Sequence, residues 1–269
     1  MSPPKSSPLA LPAALGHQPS DKRIAILREI GSCGSISQAA RAVGVSYKAA
    51  WQAIDTLTNL AGAPLVARAV GGAGGGGAAL TAAGRELLAA ADAMAQARGE
   101  VLSRWKAAPH AGPALARLAV RTSMRNQLPC LVQRLEAQGQ IVRVLLLLDA
   151  PGADARQRPE LVSRITRESA ELLGLAAGQA LQALCKATAV RVVRASAAGR
   201  EGSPGACQLR AKAVRVARGQ LGDEVVAELW GCAALGLQMV GFAEPESGLR
   251  AGSQVVLVLE ENAVVLAQA

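Results

Sequence analysis

The sequence has 269 residues, is 51% hydrophobic but only 2% aromatic, and carries a formal net charge of +9 with a pI of about 10.0. This length allows one to three domains with cores of alanine, leucine and valine, and the charge favours a polyanionic partner. No apolar run approaches the ~20 residues that span a bilayer, and the five cysteines lack paired spacing, so we expect a cytoplasmic protein in a reducing compartment without a membrane partner.

Composition shifts along the chain predict its domain organisation. Prolines interrupt the first twenty residues, which favours a disordered tail over a signal peptide. The predicted segments are a tail (1–20), a helical domain (21–106), a linker (107–113), a first β-rich repeat (114–194), a linker (195–206) and a second β-rich repeat (207–269). Within the repeats, Leu175-x-x-Gly178-x-x-Leu181 recurs as Leu249-x-x-Gly252-x-x-Val255, which indicates two copies of one small β unit. Strands are expected at Leu131–Leu135, Ile141–Leu148 and Leu181–Val193.

The helical domain begins with the pattern of a helix-turn-helix. Ile24 to Ile30 give a first helix an apolar face that Gly31 and Gly34 end, and Ser35 and Ser46 are suited to cap the next two helices. In such a unit the N-terminal turns of the last helix enter the major groove of DNA. The predicted DNA contacts are Ser37, Gln38, Ser46, Tyr47, Lys48, Gln52 and Arg68. We interpret Trp51 as a packing residue, and the alternative for the whole segment is an ordinary helical hairpin.

A wing and a long helix are expected next. Two short apolar runs, Leu65–Arg68 and Ala79–Thr81, flank a glycine-rich segment, which favours a β wing with a mobile tip over a flexible linker. The following residues lie at spacings of four and three, as in a heptad seam: Leu80, Gly84, Leu87, Ala91, Met94, Arg98, Val101 and Trp105. The seam predicts a homodimer that presents two reading heads, the DNA-binding parts of residues 21–106, to a pseudo-palindromic site. The alternative is that this helix packs on its own domain.

The β-rich part contains hydroxyl and cationic side chains that suit an oxyanion. They are Ser123, Arg125, Thr166, Ser169 and Lys186. All are hydrogen-bond donors, and charge-assisted bonds from arginine and lysine favour a tetrahedral dianion over a metal cation. Thr166 and Ser169 would begin a short helix, whose first N–H groups are free to meet an anion. The alternative is that these are surface polar residues of a β barrel.

The sequence pattern does not favour metal-cation binding or catalysis. The two histidines, His17 and His110, fall in the tail and the linker, so no metal cation is expected. Cys185 has no histidine positioned to activate it and is interpreted as a buried strand thiol. Since the chain shows no acid/base pair, nucleophile triad or cofactor loop, we expect that it is not an enzyme.

Two parts of the chain resemble a known family. The segment GSISQAARAVGVSYKAAW followed by GGAGGGGAALT resembles the N-terminal domain of ModE-family molybdate-responsive regulators, a LysR-like winged helix. Thr122–Gln127, Ile165–Ser169 with Leu173–Gly178, and Ala183–Ala187 resemble the opening, middle and closing strand of the Mop, or molbindin-type, domain, with Met124 replacing the usual alanine. The resemblance implies an α+β multidomain fold, with an N-terminal winged helix-turn-helix, a long dimerisation helix and a C-terminal tandem OB-like β-barrel (di-Mop) domain.

The resemblance also assigns the anion site. It implies that Ser123, Arg125, Thr166, Ser169 and Lys186 bind molybdate at a junction between subunits or repeats. In the second repeat, glutamate at 260 stands in place of Lys186 and alanine at 206 in place of Arg125. Because a carboxylate repels a dianion, we infer that the second repeat has lost its copy of this site.

The expected function is a homodimeric, molybdate-sensing DNA-binding regulator. The family implies repression of molybdate-uptake genes and control of molybdenum-enzyme genes when molybdate is bound to the protein, and tungstate should substitute for molybdate. Two alternatives stay open at this point: a cytoplasmic molybdate or oxyanion storage protein, and a winged-helix regulator that senses another oxyanion such as sulfate or phosphate.

Overall fold

The computed structural model describes residues 22–69, 77–104, 122–149, 158–196, 205–231 and 236–268. They fall into two compact units. The first contains the described residues up to position 104 together with Thr166–Leu175, and the second contains those of 122–165 and 176–268. The division is not a single cut in the chain, because the short segment Thr166–Leu175 belongs with the N-terminal helices.

Three helices form the core of the first unit: α1 (Arg23–Cys33), α2 (Ile36–Val43) and α3 (Tyr47–Ala61). Ser35 and Ser46 cap α2 and α3, since each hydroxyl accepts a hydrogen bond from the backbone N–H three residues later. α1 continues through Gly31 to Cys33 and is capped by Gly34, so of the two glycines that were expected to end it only Gly34 does. The three helices share one buried apolar cluster that includes Ile26, Ile30, Ile36, Ala39, Ala50 and Ile54.

An antiparallel hairpin follows the three helices, made of β1 (Val66–Ala69) and β2 (Gly77–Leu80). The Ala78 amide donates to the Gly34 carbonyl at 2.8 Å, which fastens β2 to the end of α1. This hairpin is the expected wing. Its glycine tip, residues 70–76, lies outside the described residues, so the expected mobility of that tip stays a prediction.

The long helix α4 (Ala82–Arg104) begins in close contact with its own unit. Leu80 and Leu87 pack on a buried cluster around Leu65. A Cβ at Gly84 would lie 2.3 Å from the Leu65 carbonyl oxygen, so only glycine permits this approach. The first part of the predicted seam therefore packs on its own domain, which was the alternative for the whole helix.

The second half of α4 is different. Every residue from 92 to 101 is exposed in the single chain, including the apolar side chains of Met94 and Val101. Trp105, the last position of the predicted seam, lies outside the described residues. Pairing of this half with a second subunit stays a prediction.

The second unit consists of β-strands that form one five-stranded sheet and one closed barrel. Its strands are β3 (Asn126–Gln138), β4 (Ile141–Leu148), β5 (Glu160–Thr166), β6 (Ala180–Cys185), β7 (Arg191–Arg194), β8 (Ala206–Ala217), β9 (Asp223–Leu229), β10 (Gln238–Ala243), β11 (Gln254–Glu260) and β12 (Val265–Ala267). One five-stranded sheet has the order β12-β6-β3-β4-β5, and a closed barrel has the order β10-β7-β11-β8-β9. The last strand of each repeat is therefore exchanged, because β7 joins the barrel of the second repeat and β12 the sheet of the first.

This exchange explains one wrong prediction. The expected single strand Leu181–Val193 is two strands, because β6 ends at Cys185 and a 3₁₀ turn at Ala187–Ala189 separates it from β7. The apolar pattern continues across the turn since both strands are largely buried, although in different sheets. Local sequence periodicity does not distinguish one long strand from two strands that part at a crossover.

The predicted repeat is present in the backbone. Gly178 and Gly252 both have positive φ, of 82° and 89°, and each lies two residues before a central strand, β6 or β11. Their amides donate to the carbonyl groups of Val132 and Ala213 at 2.8 Å, and each of these acceptors lies at a bulge of the long first strand of its repeat, β3 or β8.

A helical reading head with a wing and a tandem β unit containing a barrel confirm the expected fold class.

Candidate functional site

Strand register brings the two predicted cations together. In the second unit β3 and β6 are antiparallel, with Asn126 opposite Cys185. Extending this register by one residue places Arg125 opposite Lys186, each where its strand meets a loop. Both residues are exposed, so their charges are open to solvent. Two cationic side chains at neighbouring strand ends suit the binding of a small dianion.

A carboxylate from the second repeat already engages one of these cations. The Arg125 Nη1 lies 2.6 Å from the Glu224 Oε2, and Arg215 donates to the other carboxylate oxygen at 3.2 Å. The hydrogen bond from Arg125 lowers the pKa of Glu224, with further help from the charge of Arg215. An anion that binds Arg125 must therefore share the guanidinium with Glu224 or displace it. Local sequence patterns do not reveal Glu224, because it lies 99 positions away from Arg125.

The neighbouring Asn126 fixes the start of β3. Its side chain is 1% exposed, donates to the Val240 carbonyl at 2.9 Å and accepts from the Val240 amide at 2.7 Å. This pair of bonds mimics a backbone bridge between the first repeat and β10. Asn126 thereby positions Arg125, while Ser123 lies in the exposed loop just before it.

The second repeat lacks the two cations at the corresponding place. Ala206 lies opposite Glu260 in the β8–β11 register, as Arg125 lies opposite Lys186 in the first repeat. The register agrees with the correspondence counted from the sequence. A carboxylate and a methyl group at these positions do not supply the donors that an oxyanion needs.

The other two predicted anion donors belong to the first unit. Thr166 caps the short helix α5 (Arg167–Leu172), with its Oγ1 accepting from the Ser169 amide at 3.2 Å. The two hydroxyl oxygens are 3.0 Å apart, and Thr166 is exposed. The five predicted ligands are thus placed as a pair of hydroxyls in the first unit and Ser123, Arg125 and Lys186 in the second.

The predicted DNA contacts gather at the start of α2 and α3. Most of them are exposed, namely Ser37, Gln38, Ser46, Tyr47 and Lys48. Gln52 is half-buried on the next turn of α3. Trp51 packs against the core of the unit and meets the Tyr47 ring edge-on, with ring centroids 6.3 Å apart. Arg68 lies on β1 of the wing opposite Ala78, and its side chain is outside the described part of the chain.

Two glutamates of α5 contact this surface within the first unit. The Lys48 Nζ lies 2.8 Å from the Glu168 Oε1, and the Ser46 amide donates to the Glu171 Oε2 at 2.9 Å. The hydrogen bond from Lys48 is the largest cause that lowers the pKa of Glu168. Sequence reasoning missed both glutamates, although Glu168 stands inside the ITRES segment that carries the family resemblance.

Four cysteines lie in the described ranges, and none of them forms a disulfide there. Cys130, Cys185 and Cys207 are buried thiols and Cys33 is an exposed one. Burial raises the pKa of Cys185 to about 11, which leaves its thiol protonated at neutral pH. Among the described residues, no cluster of histidine, cysteine and acidic side chains is arranged to hold a metal ion. The helices in the described ranges include none with the length and apolarity needed to cross a membrane.

Comparison with known proteins identifies the family. Residues 22–85 match the bacterial regulatory helix-turn-helix protein, lysR family, and residues 122–192 match the TOBE domain. The chain is 34% identical to the transcriptional regulator ModE of Yersinia pestis, over 91% of this chain and 92% of that protein. It is 34% identical to the molybdenum-pterin-binding protein MopA of Rhodobacter capsulatus, over 98% of both chains. It is also 35% identical to the DNA-binding transcriptional dual regulator ModE of Escherichia coli (strain K12), over 64% of this chain and 66% of that one. The chain therefore belongs to the ModE family of transcriptional regulators.

Proposed function

We propose that this protein is a molybdate-responsive, DNA-binding transcriptional regulator. The observation that supports this most strongly is the register of β3 and β6, which pairs Asn126 with Cys185, so that Arg125 and Lys186 follow at neighbouring strand ends. The same chain also matches the helix-turn-helix of the lysR family. Ser123, Thr166 and Ser169 add hydroxyl donors of the kind that an oxyanion needs. Tungstate, a near-isostere of molybdate, would occupy the same donors.

DNA recognition would use the exposed starts of α2 and α3. We assign Tyr47, Lys48 and Gln52 to the major groove and its phosphates, and Ser37, Gln38 and Ser46 to the DNA backbone. Arg68 and the glycine-rich wing would reach an adjacent phosphate. These roles follow from the exposure of the side chains and from the geometry that such units adopt on DNA.

We further propose that two chains pair through the second half of α4. Met94 and Val101 are exposed there, in a run from 92 to 101 in which every residue is exposed in the single chain. A symmetric helix pair would bury them and present two reading heads to a pseudo-palindromic operator. The cytoplasm suits such a protein, since none of the four cysteines in the described part of the chain forms a disulfide.

The proposed direction of regulation is repression of molybdate-uptake genes and control of molybdenum-enzyme genes in the molybdate-bound state. The name of the Escherichia coli relative describes a dual regulator, so the direction needs a test at each promoter. A reporter gene behind the promoter of an uptake operon, with and without molybdate in the medium, would measure it. Constitutive reporter expression at every molybdate concentration would contradict repression.

Two alternatives can be separated from this proposal by DNA binding and anion competition. A storage protein would need only the β-rich repeats, whereas residues 22–85 of this chain match the lysR-family helix-turn-helix. A regulator of another oxyanion would bind sulfate or phosphate in preference to molybdate. No catalytic role is proposed, and the names of the relatives describe regulators and binding proteins.

The experiment that tests the proposal is fluorescence anisotropy with operator DNA at several salt concentrations. Lys48→Ala should weaken DNA binding and reduce the slope of log K against log salt by about one, because one phosphate contact is lost. Lys212→Ala, an exposed lysine of the second unit, is the matched control. Equal losses in both variants would remove Lys48 from the DNA interface.

A further inference from the structure

The helix α5 is docked on the surface that should read DNA. Leu172 is fully buried in the cluster formed by α1, α2 and α3, and its carbonyl accepts a hydrogen bond from the Lys22 amide at 2.7 Å. These contacts lie within the first compact unit. The position of α5 is thus set by an apolar anchor and a backbone bond in addition to its charges.

The two glutamates of α5 contact groups that DNA phosphates would contact. Glu168 meets the ammonium group of Lys48 at 2.8 Å, and Glu171 accepts from the amide of Ser46, the residue that caps α3, at 2.9 Å. A phosphate bound at the start of a recognition helix takes a lysine and N-terminal amides as its donors. The two carboxylates therefore contact the same groups that the phosphate oxygens of bound DNA would contact.

The burial and the lowered pKa of Glu168 both indicate that its carboxylate is held in this contact. Its side chain is only 7% exposed, whereas that of Lys48 is 72% exposed. The pKa of Glu168 is lowered, mainly by the hydrogen bond from Lys48 and also by one from Thr166. A single carboxylate thus contacts both a predicted DNA-binding lysine and a predicted anion-binding hydroxyl.

We propose that α5 is an autoinhibitory element that competes with DNA for the N-terminal turn of α3, and that molybdate releases it. This inference rests on the proposed function. Molybdate bound by Thr166 and Ser169 would withdraw the Thr166 hydroxyl from the glutamate and place a dianion beside the Glu168 carboxylate. Both changes disfavour the docked arrangement and free Lys48 for DNA.

The test compares Glu168→Gln with Glu160→Gln in the full-length chain. Both substitutions remove one negative charge, and Glu160 is an exposed residue of β5. The probe is a 30-base-pair duplex of mixed sequence, followed by anisotropy at fixed salt without molybdate. Glu168→Gln should bind DNA about twofold to fivefold more tightly than Glu160→Gln, the range for an ion pair with one exposed member. Equal affinities would overturn the autoinhibitory role.

Molybdate supplies the second arm of the same experiment. Adding molybdate should tighten DNA binding by the wild-type chain and have a smaller effect on Glu168→Gln, with sodium sulfate at equal ionic strength as the comparator. An equal effect on both proteins would show that molybdate does not act through Glu168. Failure of the wild-type chain to bind the duplex at any salt concentration would overturn the proposed function together with this inference.

Hydrogen–deuterium exchange on the wild-type chain avoids any effect of substitution on folding. DNA should increase exchange in the peptide that contains residues 166–175, because α5 leaves the start of α3. Molybdate alone should increase it in the backbone amides of α5 that follow Ser169. Unchanged or slower exchange in this peptide on addition of DNA would contradict competition between α5 and DNA.

Discussion

The carboxylate of Glu224 should weaken molybdate binding, so Glu224→Gln should tighten it. In the structure Arg125 donates to Glu224 at 2.6 Å, and an anion on the same guanidinium must compete with that bond. The Arg125 side chain is 48% exposed and that of Glu224 is 24% exposed, so the ion pair is worth only about 0.2–1 kcal/mol.

Repulsion adds to this competition. A dianion held by the same guanidinium would lie roughly 6 Å from the carboxylate, where repulsion in water is about 1.4 kcal/mol before salt screening. At physiological salt the screening length of about 8 Å halves this repulsion. Together the two effects amount to about 0.9–1.7 kcal/mol, so the Kd for molybdate should fall by roughly fivefold to eighteenfold.

The assay is calorimetric titration with molybdate at 0.15 M salt, and the matched control is Glu228→Gln on the same strand. Since Arg125 lowers the pKa of Glu224, the wild-type carboxylate stays ionised at neutral pH and the comparison needs no pH correction. A Kd for Glu224→Gln equal to or weaker than that of Glu228→Gln would refute the reasoning.

Two further predictions concern stability and reactivity. Asn126→Ala should lower the free energy of unfolding by about 1–3 kcal/mol, because it removes two hydrogen bonds between a buried side chain and the half-buried backbone of Val240. Circular dichroism during urea unfolding would measure this, and a change equal to that of the exposed control Gln127→Ala would contradict it. In a Cys232→Ser background at pH 8, a thiol reagent should modify Cys33 within minutes and Cys185 only on unfolding, because burial raises the pKa of Cys185 to about 11. Fast reaction of Cys185 in the folded protein would show that its strand opens.

The reading head was accessible to sequence reasoning because its signals are local. Ser35 and Ser46 cap the helices that they were expected to cap, and Gly44 ends α2 where the turn was placed. The repeat was also visible, since Gly178 and Gly252 take the same backbone conformation before equivalent strands.

The remaining features depend on long-range pairing, which local patterns do not report. The exchange of β7 and β12 between the repeats left no mark in the sequence beyond a continuous apolar run. The pairing of Glu224 with Arg125 joins residues from different repeats, and the docking of α5 joins Glu168 to a lysine 120 positions earlier. A wide spacing between two charges is compatible with many arrangements, so only the folded chain reveals these contacts.

The central claim is that Arg125 binds molybdate, and calorimetric titration of the full-length chain tests it most directly. We expect about one molybdate ion per chain with little response to sulfate, since the second repeat has Ala206 and Glu260 in place of the two cations. Arg125→Ala should weaken binding roughly tenfold to 150-fold, the range for a hydrogen bond to a charged group. Arg134→Ala, an exposed arginine of the same strand, should bind like the wild type. No molybdate binding by the wild-type chain, or an unchanged Kd in Arg125→Ala, would contradict the account.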